Sequence, residues 1–142
     1  LTDIRREVSH GGSRFDLAFS CQGQPWFMEV KGVTLNVNRQ ARFPDAPTER
    51  GIRHLHGLSA AVKEGFGAAV LFVLQMQDCA SFAPNPDHPE FGEALRYAKD
   101  HGVHIWAWDC EVSEASMKIR QPVPVTFSSS ATYLINKRTV NE

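Results

Sequence analysis

Helical and extended hydrophobic patterns alternate along the second half of this chain, and this alternation constrains the fold more than any other feature. Apolar residues recur at helical spacing from Ile52 to Val62, and a continuous apolar run, Ala68–Leu74, follows. A second amphipathic stretch at 90–100 precedes Val103–Trp108, which reads as another strand. A strand that follows a helix in the same sheet runs parallel to its predecessor, so the pattern predicts an α/β fold with parallel strands.

A β-hairpin is predicted ahead of these elements. Residues 13–19 and 26–31 alternate apolar and polar side chains, and 21–25 supplies a turn with glycine and proline. Thr48 is suited to cap the first helix, and Gly65 to end it. Polar, proline-bearing connections are expected at 32–47 and 78–89, and a tail or linker at 128–142. The order β-β-α-β-α-β predicts a mixed sheet with flanking helices.

Composition narrows the class of protein. The 142 residues are 42% apolar with a net charge of −1, which suits one globular domain and excludes binding by bulk positive charge, although a local basic groove is compatible with it. The longest apolar run is too short to span a bilayer, and the charged start lacks a signal peptide's apolar segment. Three scattered cysteines suit a reducing compartment. We expect a cytoplasmic protein without membrane contact, of unspecified oligomeric state.

The hairpin carries the most informative polar residues. Glu29 and Lys31 are two apart on a strand and therefore share one face, opposite Met28 and Val30. If the turn centres on residues 22 and 23, Asp16 lies opposite Glu29, with β-carbons about 5 Å apart. Two facing carboxylates repel unless a cation lies between them, and a hard divalent ion such as Mg²⁺ prefers such ligands. The pattern indicates a metal site in which Lys31 stabilises charge on a phosphate.

Two less specific interpretations remain open at this point. Glu-x-Lys is a common tripeptide, so Glu29 and Lys31 are equally compatible with a weak ion pair on an exposed hairpin. Arg50, Arg53 and His54 cluster on one side of the first helix at spacings of three and four residues. Such a cluster can bind phosphates, but it is also typical of a solvated helix face.

Several motifs together resemble the sugar fermentation stimulation protein A (SfsA) family. The resemblance runs from about residue 5 to residue 127, and one block is long and specific. The motifs are Ser13-Arg-Phe-Asp16, Glu29-Val-Lys-Gly-Val-Thr-Leu35, Phe43-Pro-Asp-Ala-Pro-Thr-Glu-Arg-Gly51 with His54-Leu55, Val70-Leu-Phe-Val73 and Cys110-Glu-Val-Ser113.

The resemblance implies a restriction-endonuclease-like PD-(D/E)XK core over 1–127. In the family this domain follows an N-terminal OB-fold domain, and no sequence for that domain precedes Leu1, so we expect a fragment of a longer protein. The superfamily's metal site implies catalytic roles for four residues, and Mg²⁺ or Mn²⁺ held by Asp16, Glu29 and the middle residue Val30. The four implied catalytic residues are Glu7, Asp16, Glu29 and Lys31.

Two functions follow from this resemblance. Family members are described as DNA-binding and are linked to regulation of sugar (maltose) utilisation genes. The first function is a Mg²⁺- or Mn²⁺-dependent nuclease acting on DNA or RNA, and the alternative is a DNA-binding regulator that uses a nuclease fold without turnover. A third interpretation has the acids merely solvated. The residues expected to contact the nucleic acid are Arg14, Arg50, Arg53 and His54.

Overall fold

The computed structural model describes residues 1–113 and 116–127, so the predicted tail at 128–142 lies outside the described residues. Nine strands and two helices occupy the described part of the chain. In chain order they are β1 (Thr2–His10), β2 (Ser13–Cys21), β3 (Gln24–Val33), β4 (Leu35–Val37), β5 (Gln40–Phe43), α1 (Glu49–Lys63), β6 (Gly67–Leu74), β7 (Ser81–Pro84), α2 (Pro89–Asp100), β8 (His104–Val112) and β9 (Met117–Pro122).

A six-stranded mixed sheet forms the centre of the molecule, in the order β1-β2-β3-β6-β8-β9. Strands β3, β6 and β8 are parallel, and the outer strands are antiparallel to their neighbours. The predicted mixed α/β architecture is confirmed. In the β2–β3 hairpin, Leu17 pairs with Met28 and Cys21 with Gln24, which is the register that the turn prediction required.

Both helices begin and pack as the hydrophobic pattern predicts. The Thr48 hydroxyl accepts a hydrogen bond of 3.0 Å from the Gly51 amide and caps α1. Leu58 of α1 and Leu95 of α2 are fully buried, in one core cluster with Phe27 and Phe72 of the sheet. The two helices also contact each other, so both cover the same face of the six-stranded sheet.

Three short strands were not predicted. The expected connections at 32–47 and 78–89 contain β4, β5 and β7, which form a separate sheet in the order β4-β5-β7. Its strands have only three or four residues, too few for an alternation to be distinguished from a loop. Tertiary contacts stabilise them instead, because Ala41 and Phe82 are completely buried and Phe82 stacks on Phe72.

The two edge strands of the large sheet also escape prediction from sequence. The first six residues of β1 and all six residues of β9 are exposed, so neither strand carries a hydrophobic face. An ion pair between an exposed arginine and a buried acid joins β9 to β8: the Arg120 guanidinium donates to both carboxylate oxygens of Asp109, which is 0% exposed. These hydrogen bonds lower the pKa of Asp109.

Within the described residues, no helix is long and apolar enough to cross a membrane. The cysteines Cys21, Cys79 and Cys110 are all free thiols.

Candidate functional site

A buried carboxylate on the central strand β3 is the focus of the site. Along β3, Phe27, Glu29 and Val33 are buried beneath the helices, whereas Met28 and Val30 lie half-buried on the other face. Glu29 is only 1% exposed. The interpretation of Glu29 and Lys31 as an ion pair on an exposed hairpin is therefore wrong, because α1 covers the face that the sequence pattern left open.

Two hydrogen bonds between backbone amides and carboxylates connect Asp16 with Glu29 and Val30 of β3. The backbone ladder between β2 and β3 ends on this side at Leu17 and Met28, and hydrogen bonds to side chains continue beyond it. The Asp16 amide donates to Glu29 Oε1 at 3.0 Å, and the Val30 amide donates to Asp16 Oδ2 at 2.8 Å. These bonds bring the two acids together at the hairpin's open end, as the register predicted.

Lys31 and His54 complete this cluster around Glu29. Lys31 Nζ lies 3.3 Å from Glu29 Oε2, and His54 Nδ1 lies 2.9 Å from the same oxygen. Lys31 Nζ and His54 Nδ1 are 3.1 Å apart. His54 can donate from Nδ1 to the carboxylate or accept there from Lys31, depending on its tautomer. The Glu29 carboxylate thus has donors on both of its oxygens.

Burial and neighbouring charges shift the two titratable groups in opposite directions. Desolvation raises the pKa of Glu29, and the nearby Asp16 charge adds to this effect, while Lys31 opposes it. Desolvation lowers the pKa of His54, and the positive charges of Lys31 and Arg50 lower it further. Both shifts favour the uncharged forms of these side chains.

A glycine allows α1 to approach the sheet closely enough for His54 to reach Glu29. A β-carbon at Gly57 would collide with the Ser13 hydroxyl and lie 3.3 Å from the Phe15 ring. His54 lies one helical turn before Gly57 on this inner side of α1, and only 13% of its side chain is exposed. The close approach of α1 to β2 is therefore part of how the site forms.

The remaining predicted site residues lie at the periphery. Arg50 and Arg53 are exposed, yet both act on the pKa of His54 and so lie within electrostatic reach of the cluster. Glu7 and Arg14 pair with each other at 3.3 Å, with side chains that are 72% and 67% exposed. Glu7 lies across the β1–β2 ladder from Asp16, between two paired positions, but it forms its ion pair with Arg14.

His54 was expected to bind nucleic acid, but the structure places it beside the buried carboxylate. The helical spacing could have indicated this position. Gly51 and Leu58 lie about one turn before and after His54 on the same side of α1, Leu55 is its next neighbour, and all three are buried. A histidine surrounded by such positions faces the sheet rather than solvent.

Two carboxylates are the only acidic ligands that the cluster offers to a metal. Among the described residues, no group of three or more His, Cys, Asp or Glu side chains is arranged to hold an ion. Mg²⁺ typically takes one or two carboxylates and completes its coordination with water and substrate phosphates. Asp16, which is exposed, and Glu29 fit that requirement, whereas a closed zinc site needs more protein ligands.

Comparison with known proteins identifies the family. The family model described as the sugar fermentation stimulation protein RE domain matches residues 1–116. The chain belongs to the sugar fermentation stimulation protein family. A sugar fermentation stimulation protein homolog of Clostridium beijerinckii is 48% identical over 126 residues, and one of Clostridium acetobutylicum is 46% identical over 124 residues.

The similarity extends to a solved SfsA structure. The structure of Pyrococcus furiosus SfsA in complex with Ca²⁺ superposes with a TM-score of 0.82 at 28% identity, over 87% of this chain and 55% of that one. The Clostridium beijerinckii and Clostridium acetobutylicum relatives are matched over 88% and 86% of this chain but 56% and 54% of their own lengths. The chain therefore spans about half the length of these SfsA relatives.

Proposed function

We propose that this chain is a PD-(D/E)XK-type domain that cleaves nucleic-acid phosphodiester bonds with Mg²⁺ or Mn²⁺. The observation that carries the proposal is the buried Glu29 carboxylate, held against Lys31 and beside Asp16 on adjacent strands. Burying an acid is costly, and an apolar residue at this position would stabilise the sheet more simply. A buried acid with a shifted pKa and a charged partner is typical of a catalytic site.

Asp16, Glu29 and the backbone of Val30 are the groups that would hold the cation. When bound, a divalent ion lowers the pKa of a coordinated water and neutralises charge on the phosphate. The Val30 amide already orients the Asp16 carboxylate by a hydrogen bond of 2.8 Å. The solved Pyrococcus furiosus SfsA structure is a complex with Ca²⁺, which supports a divalent cation as a ligand of proteins of this family.

The other residues of the cluster have roles that follow from their charge and place. Lys31 carries a compact positive charge beside Glu29, where it would stabilise negative charge that develops on the phosphate. Arg50 and Arg53 are exposed on the adjacent face of α1, where they would contact the phosphates of a bound nucleic acid. Glu7 and Arg14 extend the site at its outer rim, Glu7 as an assisting acid and Arg14 as a phosphate contact.

A second function, a DNA-binding regulator of sugar fermentation genes without turnover, is favoured by one specific observation. Glu29 Oε1 accepts from the Asp16 amide, and Oε2 lies within hydrogen-bonding distance of both Lys31 and His54. The carboxylate is therefore satisfied by the protein's own donors. A domain that binds DNA without cleaving it needs no cation to compensate this charge.

Incubation with labelled substrates separates the two functions. We expect cleavage of single- or double-stranded DNA or RNA in Mn²⁺ and none in EDTA. Lys31→Ala should abolish cleavage while Mn²⁺ still raises the melting temperature, because an ammonium group is not a metal ligand. Lys31→Arg should restore little activity, and Lys63→Ala, at the end of α1, is the matched control. Binding of DNA without products in Mn²⁺ would establish the regulator instead.

A further inference from the structure

The pairing of the edge strand β1 with β2 is interrupted beside the site. On β2, Phe15 and Leu17 each pair with a residue of β1, but within residues 1–113 the intervening pair of Asp16 with Glu7 is missing. Glu7 has a φ of 50°, in the left-handed region that residues other than glycine adopt only at a cost. The backbone of β1 is therefore strained directly opposite Asp16.

The burial of side chains shows that both strands shift by one residue at this interruption. In a regular strand, residues two apart share a face, so Phe15 and Leu17 should do so. Phe15 is buried in the core beneath the helices, whereas Leu17 pairs with Met28, on the opposite face. The alternation of β2 therefore shifts at Asp16. Because β1 keeps one register with β2 on both sides of this point, its own alternation shifts at Glu7.

This shift leaves Asp16 free to contact β3 through its amide and its side chain. The Asp16 amide donates to Glu29 Oε1 at 3.0 Å, and the Asp16 carboxylate accepts from the Val30 amide at 2.8 Å. A residue that is paired within an antiparallel ladder directs its amide to a backbone carbonyl of a neighbouring strand, not to a carboxylate. The contacts between Asp16 and β3 therefore depend on the departure of Asp16 from the ladder.

We propose that Glu7 is a positioning residue that acts through its backbone. Its left-handed conformation lets β1 shift together with β2, and the shift frees Asp16 for its contacts with Glu29 and Val30. The inference rests on the proposed function, since Asp16 and Glu29 form the proposed cation site. Strained backbone of this kind persists where the surrounding structure compensates its cost, and it is concentrated at functional sites.

The side chain of Glu7 does not explain the position of Asp16. Its carboxylate lies 3.3 Å from the Arg14 guanidinium, and 72% of the side chain is exposed. Glutamate is also not the residue that the left-handed region favours, because glycine, asparagine and aspartate adopt it more readily. Substitutions can therefore separate what the backbone at this position contributes from what the carboxylate contributes.

Asparagine and valine in place of Glu7 provide this separation. Both remove the carboxylate, but asparagine tolerates the left-handed region, whereas the β-branched valine disfavours it. Hydrogen exchange measured by NMR in EDTA reports on the Val30 amide, which donates to Asp16. Relative to the amides of β6, we expect Val30 protection to be kept in Glu7→Asn and to fall by about tenfold in Glu7→Val. Glu7→Gly should keep it as well, because glycine adopts a positive φ freely.

Asp3 provides a matched control on the same strand. It also has a positive φ, of 54°, but it lies toward the turn end of the hairpin, where Thr2 pairs with Ser20. Asp3→Val should lower the melting temperature by several degrees, as Glu7→Val does, and leave the exchange of Val30 unchanged. The melting shift in Mn²⁺ should follow the same order: kept in Glu7→Asn and Asp3→Val, and largely lost in Glu7→Val.

The proposal would be overturned by Val30 protection in Glu7→Val that equals the parent's, or by reduced protection in Glu7→Asn and Glu7→Gly. The second result applies even if Glu7→Val does not fold, which circular dichroism determines. An equal loss of the Mn²⁺ shift in Glu7→Asn and Glu7→Val would also overturn it, because the contribution of Glu7 would then come from its carboxylate. A parent without any Mn²⁺ shift would contradict the cation site of the proposed function, and the exchange of Val30 alone would then decide the positioning role.

Discussion

At the scale of single residues, the environment of His54 makes stability depend on pH. Its pKa is lowered in the folded state, mainly by burial, from an ordinary value of 6.5. The unfolded chain therefore binds this proton more readily, and stability is lost as the pH falls from about 6.5 through the lowered value. Glu29 has a raised pKa, so its contribution has the opposite sign and is lost as the pH rises above 4.5.

We expect His54→Gln to remove the loss of stability that His54 causes below about pH 6.5, because glutamine does not titrate. Urea unfolding of parent and variant at pH 8, 7, 6 and 5 measures the difference between them. The parent's free energy of unfolding should fall relative to the variant's below pH 6.5, while Glu29 titrates in both proteins. His56→Gln, on the exposed side of the same helix, serves as the control. Parallel pH profiles for parent and His54→Gln would contradict the prediction.

The pairing of Asp16 with Glu29 predicts a divalent-cation effect that one substitution removes. Without an ion, Asp16→Asn should be at least as stable as the parent, because the amide oxygen still accepts from Val30 while the repulsion with Glu29 disappears. A ligand that binds only the folded state adds about 2.7 kcal/mol at a hundredfold excess over its dissociation constant. Mn²⁺ should therefore raise the parent's melting temperature by several degrees and leave the variant's unchanged.

Thermal melts of parent and Asp16→Asn, each in EDTA and in Mn²⁺, measure this effect. Asp100→Asn, an exposed acid at the end of α2, is the matched control and should respond to Mn²⁺ as the parent does. If EDTA-treated Asp16→Asn melts several degrees below the parent, with no Mn²⁺ response in either protein, Asp16 is structural and the cation site does not exist.

At the scale of elements, the distance between α1 and β2 determines whether the site forms. Replacing a helical glycine by alanine ordinarily stabilises a helix by about 0.5–1 kcal/mol. At Gly57 the added carbon would lie 3.1 Å from the Ser13 Cβ and 3.3 Å from the Phe15 ring. Overpacking of this kind costs about 1–3 kcal/mol, so the clash should reverse the sign.

Gly57→Ala should therefore lower the free energy of unfolding, because α1 must move away from β2 to relieve the contact. Urea titration measures this effect. Ala60→Gly, at an exposed position of the same helix, gives the contribution of helix propensity alone. Restored stability in the double variant Ser13→Gly, Gly57→Ala would confirm the contact, whereas a stabilised Gly57→Ala would show that the helix approach is not limiting.

At the scale of the whole molecule, a net charge of −1 limits how strongly the chain can bind a polyanion. The positive groups beside the site are few, namely Lys31, Arg50 and Arg53, and the charge of Arg14 at the rim is offset by its ion pair with Glu7. With about three phosphate contacts, the logarithm of the association constant should fall with the logarithm of salt concentration at a slope on the order of −2 to −3. Binding should be weak and almost lost at high salt.

Fluorescence anisotropy with a labelled oligonucleotide between 50 and 300 mM salt measures this slope. Arg50→Gln and Arg53→Gln should each reduce its magnitude by about one. Arg6→Gln, on the exposed edge strand β1, should leave it unchanged. Tight binding that does not respond to salt would mean that the nucleic acid is held by contacts other than these phosphates.

The sequence by itself was sufficient for the elements whose pattern is local. Both helices, the parallel strands β6 and β8 and the β2–β3 hairpin follow from periodicity and turn residues, since each depends on side chains close in the chain. The placement of Asp16 beside Glu29 follows for the same reason, because the register of a hairpin is determined by its turn. The resemblance of the sequence motifs to the SfsA family is confirmed by the family model, which matches residues 1–116.

Only the tertiary structure decided which face of the sheet is covered and which residues meet there. The alternation in β3 places the polar Glu29 and Lys31 opposite Met28 and Val30, which predicts that the polar face is open. The burial of Glu29 depends instead on α1, a helix that begins twenty residues later and packs on that face. His54 joins Lys31 and Glu29 because Gly57 lets the helix approach, a contact that no local pattern encodes. The remaining strands left no periodic signal for other reasons. β4, β5 and β7 have only three or four residues, and the pairing of β5 with β7 joins segments about forty residues apart. The edge strands β1 and β9 pair with their neighbours in the chain, but they are largely exposed, so burial imposes no apolar alternation on them.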